Sequence, residues 1–149
     1  MPVNIDYLAG LLDGEGYIGI RRCTTKNDGS LIPEFKPTMV ITNTNYDLML
    51  VLKASFRGSI CKRRTSKHGI TNGWKQSYSF EFNRTEIRRL LPLLLDKLII
   101  KKEQAQLLVD LFATYKHTSW GYGYTAVELE NKETLHRKSL ELNHRGVFI

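Results

Sequence analysis

The stretch Asn4-Ile5-Asp6-Tyr7-Leu8-Ala9-Gly10-Leu11-Leu12-Asp13-Gly14-Glu15-Gly16, followed at once by Tyr17-Ile18-Gly19-Ile20-Arg21-Arg22-Cys23, decides how the rest of the chain reads. In its first half Ile5, Leu8, Leu11 and Leu12 recur at helical spacing behind Asn4, whose side chain can accept from the free N–H groups of a first turn. The spacing predicts a helix over Ile5–Asp13, ended by the run Asp13-Gly14-Glu15-Gly16. In the second half the period becomes two, with Ile18 and Ile20 on one side and Arg21 and Cys23 on the other, the pattern of a half-buried strand. Gly10 and Gly14 lie four apart and share a helix face, and a face without side chains lets another element approach to backbone contact. That element is either a strand or loop of the same chain or a second helix. Asp13 and Glu15 stand at the carboxyl end of an apolar helix, where the helix dipole repels negative charge. A divalent cation would remove the penalty, because Mg²⁺ selects hard carboxylate and carbonyl oxygens. A polar turn accounts for Asp-Gly-Glu-Gly equally well.

Outward from this stretch the alternation continues. Asn27-Asp28-Gly29-Ser30 supplies turn chemistry, and Phe35 to Thr42 places Phe35, Met39 and Ile41 inward and Lys36, Thr38 and Val40 outward, which makes a long hairpin. Thr44 with Asp47 resembles a capping box ahead of a second helix carrying Leu48, Leu50, Val51, Leu52 and Phe56 and stopped by Gly58. Ser59–Thr65 and Trp74–Phe82 read as two further strands, with Tyr78, Phe80 and Phe82 on the inward face. Asn83 caps a third helix to about Lys97, with a kink or break at Pro92, and Lys101–Tyr115 forms a fourth around Ala105, Leu108, Val109, Leu111 and Phe112. Trp120 to Tyr124 reads as a loop, and Asn131–Asn143 as a terminal helix closed by Gly146. The class is α+β in a single domain over residues 1–149: an α-β-β-α-β-β-α-α core with one four-stranded antiparallel sheet, without repeats or low-complexity tracts.

Composition narrows the function. The chain of 149 residues carries 22 Lys and Arg against 15 Asp and Glu, a net charge of +7. Residues 17–82 hold 11 of the basic and four of the acidic residues, so the whole excess sits on the segment that contains the strands. A phosphate-rich partner is the natural reading. The most apolar run, Leu90–Ile100, is interrupted by Pro92, Asp96 and Lys97 and falls short of the ~20 residues of a membrane span. Met1–Asp6 lacks the basic start and apolar run of a signal peptide, so an intracellular chain in cytoplasm or organelle matrix is expected. Two cysteines and four scattered histidines offer neither a disulfide framework nor a zinc cluster.

Leu8-Ala9-Gly10-Leu11-Leu12-Asp13-Gly14-Glu15-Gly16 resembles the nine-residue signature of the LAGLIDADG homing endonucleases. The α-β-β-α-β-β order is that of the family's core, and Ile41-Thr42-Asn43-Thr44-Asn45, Gly58-Ser59-Ile60, Ile100-Lys101-Lys102-Glu103-Gln104-Ala105 and Leu142-Asn143-His144-Arg145-Gly146 are similar to segments of it. The resemblance implies Mg²⁺ (or Mn²⁺) bound by Glu15 and by the carbonyl of Gly14, with Asn43 near the metal and its water shell and Lys101 close to the scissile phosphate. Many members carry Asp where this chain has Glu15. The family can also supply an Arg one helical turn after Asn43, where this chain has Asp47.

A single signature implies half an enzyme. The chain is expected to form a homodimer through the Gly10 and Gly14 face and to cleave a long pseudo-palindromic duplex by metal-dependent hydrolysis, as in intron or intein mobility. Its partner is double-stranded DNA, with no membrane and no small-molecule substrate. The alternatives are an RNA-binding intron maturase and a non-catalytic DNA-binding regulator. A β-ribbon fits the major groove, so the outward strand positions are the expected DNA contacts: Arg21, Cys23 and Thr25; Lys36, Thr38 and Val40; Cys61, Arg63 and Thr65; Lys75, Ser77 and Ser79. A slip of one residue in the last two strands would bring in Lys62, Arg64 and Gln76 instead.

Overall fold

A computed structural model describes residues 3–27, 30–63, 72–115 and 125–144, with backbone only at 25–27 and 30–32. The elements are α1 (Ile5–Glu15), β1 (Gly16–Asn27), β2 (Ser30–Asn43), α2 (Tyr46–Ser55), β3 (Gly58–Lys62), β4 (Tyr78–Phe82), α3 (Arg84–Leu94), α4 (Lys102–Ala113) and α5 (Ala126–Leu142). All strand pairs are antiparallel, in the order β1-β2-β4-β3. One sheet face presents Ile18, Ile20, Phe35, Met39, Ile41, Phe80 and Phe82, all buried, to Leu8, Leu12, Met49, Leu52, Ile87, Leu90, Leu108 and Leu111 of the helices. The expected inward faces are thus the ones observed. The helices occupy one side of the sheet and leave the other to its polar and basic side chains.

Element ends depart from expectation for local reasons. Helix α1 runs through Asp13-Gly14-Glu15 instead of stopping at Asp13, and leaves at Gly16 in extended conformation with the Gly16 N–H on the carbonyl of Leu12. A Cβ at Gly16 would lie 2.7 Å from the Cα of Leu12, so only glycine lets the strand depart this close to the helix. Asn45, not Thr44, caps α2, accepting from the N–H of Leu48 at 3.2 Å. This helix ends at Ser55, and Gly58 instead opens β3, where a Cβ would meet the Glu81 carbonyl at 2.3 Å. Its inward residues are Met49, Leu52 and the following Phe56, while Leu50 and Val51 are exposed.

Strands β3 and β4 are shorter than their alternation suggested, although the Arg63 N–H to Ser77 carbonyl bond of 3.0 Å carries the pairing one step further. Helix α3 carries Pro92 inside it and ends at Leu94. Helix α5 starts five residues early because Thr125 caps it, accepting from Glu128, a Thr-x-x-Glu pattern that the sequence does contain. Thr65, the 120–124 loop and Gly146 fall outside the described residues.

Two tertiary devices hold the sheet in place. Helix α5 closes the edge of β1: the Oγ of Ser139 accepts from the N–H of Ile20 at 2.9 Å, and the Nδ2 of Asn143 donates to the carbonyl of Ile18 at 2.9 Å. An open strand edge would otherwise leave these groups available to another chain. At the opposite end of the sheet order, Glu86 is 3% exposed and accepts from the Arg57 N–H at 2.7 Å and from the Arg89 guanidinium, tying the start of α3 to the residue before β3. Burial pushes its carboxyl up, but the hydrogen bonds from Arg89 and Arg57 outweigh it and hold the carboxyl below its ordinary value. Its stabilisation is therefore complete above the ordinary carboxylate range and is lost as pH falls through the lowered value. Glu86→Ala should cost about 1.5–3 kcal/mol in urea unfolding near neutral pH, and the gap to wild type should close in acid. A gap independent of pH would show that the charge is not what matters.

Candidate functional site

The carboxyl end of α1 gathers groups from three distant parts of the chain. The side chain of Asp13 accepts from three successive N–H groups, Ile99 at 2.8 Å, Ile100 at 3.1 Å and Lys101 at 3.0 Å, which lead into α4. In return the Lys101 ammonium donates to the carbonyls of Leu12 at 2.7 Å and Asp13 at 2.9 Å, the last turn of α1. A cation on the last carbonyls opposes the helix dipole and satisfies acceptors that have no helical partner. This clasp explains why α1 persists past Asp13. The helix-end penalty expected of both acids is met, for Asp13, by backbone N–H groups and not by a cation.

Glu15 differs. It is exposed, and its Oε2 accepts from the Asn43 Nδ2 at 2.6 Å. The Asn43 Oδ1 accepts from the Asn45 N–H at 2.8 Å, which orients the amide so that its donor end faces the carboxylate. Glu15, Asn43 and Lys101 therefore meet at one helix end, and Asp47 lies exposed in the first turn of α2.

Glu15 and the Gly14 carbonyl fit a hard cation in donor chemistry: both are oxygens, and nothing lies within 4 Å of where a Gly14 Cβ would stand. Mg²⁺ keeps several waters and takes one or two carboxylates beside substrate phosphates. Among the described residues no three His, Cys, Asp or Glu side chains converge. With Asp13 engaged by backbone, one chain offers one carboxylate at this point, a sparse set that suits a water-rich ion.

On the open face of the sheet the register settles the alternatives. Gly19 pairs with Thr38, Arg21 with Lys36 and Cys23 with Glu34. Thr42 pairs with Ser79, and Ser79 with Cys61. Arg21, Cys23, Lys36, Thr38, Val40, Cys61 and Ser79 share this face, together with Arg63 and Ser77 through their hydrogen bond, while Lys62 has the opposite parity. The Thr25 side chain lies outside the described residues; Lys75 is exposed, ahead of β4. Ser79 is 2% exposed, a small side chain sunk between Thr42 and Cys61. Glu34 and Glu81 stand on the same face and temper its charge, Glu34 within 3.8 Å of both Lys36 and Arg84. Such exposed pairs are weak and leave the basic groups available. Tyr17 lies along Gly19, where a Cβ would sit 2.5 Å from the phenol oxygen, and burial pushes its hydroxyl above its ordinary pKa.

Of the two ways to cover the glycine face, the described part of this chain uses neither strand nor loop. Gly10 and Gly14 are exposed, with nothing within 4 Å of either Cβ position. Beside them Tyr7 is 54% exposed, and Ile99 and Ile100 are 86% and 69% exposed where the clasp brings them against α1. No described helix is long and apolar enough to cross a membrane.

No family model and no curated protein matches the chain. Solved structures match its shape. The homing endonuclease I-CvuI in complex with the I-CreI target superposes with a TM-score of 0.70 at 20% identity, over 97% of this chain and 85% of that one. The archaeal intron-encoded homing endonuclease I-Vdi141I, complexed with DNA, gives 0.70 at 17% identity over 96% and 86%. The LAGLIDADG homing endonuclease I-SmaMI, bound to cleaved DNA, gives 0.57 at 18% identity over 98% of this chain but 45% of its own length, so the present chain corresponds to about half of that protein.

Proposed function

The chain has the fold of the LAGLIDADG homing endonucleases, and from that premise we propose that it is a site-specific, divalent-metal-dependent endonuclease of double-stranded DNA that works as a homodimer. The observation that carries the reading is the meeting of Glu15, Asn43 and Lys101 at the end of a helix whose glycine face is uncovered, at the head of an open basic sheet. One carboxylate per chain becomes two when a second copy packs across the glycines. The match to about half of I-SmaMI supports the same arithmetic. The complexes of the similar proteins with DNA, one of them in the presence of Mg with its DNA not cleaved and another in the presence of Ca, support duplex DNA as the bound partner and a hard divalent cation as cofactor.

Hydrolysis adds a water oxygen to phosphorus and breaks one phosphorus–oxygen ester bond, so the added negative charge must be neutralised and the leaving oxygen protonated. A bound Mg²⁺ (or Mn²⁺) would supply Lewis-acid neutralisation of that charge. Glu15 and the Gly14 carbonyl would hold it, and Asn43 fixes the Glu15 carboxylate in place. The Lys101 ammonium, anchored at the same helix end, stabilises charge developing on the phosphate. The reading is tested by presenting a randomised duplex library to the purified protein with and without Mg²⁺. Pseudo-palindromic products that vanish on chelation are expected. Duplex binding without cleavage would instead identify a regulator, and selective intron RNA binding without DNA cleavage a maturase.

The open sheet face would carry recognition. Replacing Arg21 or Arg63 should weaken binding by about 1–3 kcal/mol at one base pair and its symmetry mate where the residue reads guanine. Where it touches phosphate, the loss should be uniform across sequences, with a salt slope shallower by ~0.9 for each phosphate no longer neutralised. Arg137→Ala and Lys138→Ala on α5 should change little. Loss of specific binding in these α5 variants alone would move the recognition surface elsewhere.

A further inference from the structure

The line that joins Glu15 to Asn43 continues across the sheet. Asn43 pairs with Tyr78, and Tyr78 with Lys62, so three residues of one parity stand side by side at the end of the sheet nearest the candidate catalytic acid. Strands ~4.8 Å apart put the Lys62 backbone about 10 Å from that of Asn43. Tyr46, the first residue of α2, packs on Tyr78 with ring centroids 4.9 Å apart and 57° between planes. Tyr46, Tyr78, Ile60 and Lys62 line an open cleft of about 370 Å³. Lys62 is exposed and has no carboxylate partner among the described residues.

The cleft adds a second positive charge to that of Lys101 at the neighbouring site. Asp47 puts an acid in the first turn of α2, and the Lys101 ammonium is shared between two α1 carbonyls. Lys62 contributes a compact, mobile positive charge, the form in which lysine binds phosphate. Two phenols can donate to phosphate oxygens, and apolar walls weaken screening of the charge. Asn43 in turn donates to Glu15, so the cleft lies within a few nucleotides of a scissile phosphate at Glu15.

We propose that the cleft formed by Tyr46, Ile60, Lys62 and Tyr78 binds a backbone phosphate of the strand being cut, close to the scissile bond. Lys62 is then the cation that positions the strand. This assignment rests on the endonuclease reading above and adds to it a contact on the opposite parity from the recognition face. Because Lys62 is exposed, Lys62→Ala leaves the fold intact.

The test couples the variant to the DNA. On a duplex cut by wild type, Lys62→Ala should slow single-turnover cleavage and weaken binding about tenfold, equally across sequences, and should lower the salt slope by ~0.9 per subunit. Lys62→Arg should restore both. A single neutral methylphosphonate placed in turn along the strand should cost wild type about tenfold at the contacted position and cost Lys62→Ala nothing further there. An unchanged slope and rate in Lys62→Ala, or methylphosphonate losses equal in variant and wild type at every position, would overturn the assignment while leaving the endonuclease reading standing. If wild type cuts no duplex but binds random duplex at low salt, the endonuclease reading fails and the same slope comparison still decides the phosphate contact. If it binds no duplex, both fall.

Discussion

On the proposed reading, Glu15→Gln should bind its duplex within about tenfold of wild type, a change of ~1.4 kcal/mol or less, and should fail to cut it in Mg²⁺. The substitution is nearly isosteric, and the Asn43 amide that donates to Glu15 at 2.6 Å keeps an oxygen to donate to. Glu15 is exposed at the helix end and supports no core contact, so the fold is untouched. What would be lost, on the proposed reading, is a negative oxygen ligand in a site that has one such group per chain, because Asp13 is already held by three N–H groups. Mobility-shift binding and product formation on the same duplex separate the two effects. Full cleavage by the variant would remove Glu15 from the reaction, and equal loss of binding and cleavage would make it a DNA contact instead.

If the proposed dimer packs across α1, Gly10→Leu should give a chain that folds as well as wild type but no longer pairs. Within one chain the new side chain meets nothing, since no described atom lies within 4 Å of its Cβ position. Leucine is in fact a better helix former than glycine by roughly 0.8 kcal/mol. Across a two-fold the outcome reverses, because two α1 backbones meeting at Gly10 and Gly14 leave no volume for a leucyl group. Overpacking costs ~1–3 kcal/mol at each insertion, and symmetry makes two of them. Sedimentation should show a shift from dimer to monomer, with loss of site-specific cleavage and no loss of thermal stability in the monomer. The same dimer for both proteins would place the interface elsewhere, and a destabilised monomer would show that the face is covered from within the chain.

Periodicity makes the inward faces legible because burial of one face is a one-dimensional signal: Ile18, Ile20, Met39, Ile41, Phe80 and Phe82 declare themselves by spacing alone, and all are buried. The signature likewise singles out Glu15, and a resemblance of order and segments brings Asn43 and Lys101 to it. Boundaries are less legible. Gly14 reads as a breaker, yet it stays helical because Lys101, far along the chain, satisfies the carbonyls of the last turn. Leu50 and Val51 group with the core by composition, yet they face outward because the face of α2 that packs inward is the one shared by Met49, Leu52 and the following Phe56.

By itself the sequence determined the α+β class, the four strands, the polarity of each sheet face and the placement of its excess charge on one segment, all of which follow from local spacing and composition. Tertiary structure decided what pairing decides. The register that puts Cys61 and Arg63 on the open face and Lys62 on the other was undetermined, because a one-residue slip preserves strand propensity while exchanging the faces. The partner of Asp13 was undetermined as well, since the N–H groups of residues 99–101 carry no side-chain signature that spacing could detect. Whether the glycine face of α1 is covered depends on where every other element packs, and only the assembled chain shows that the described residues leave it open.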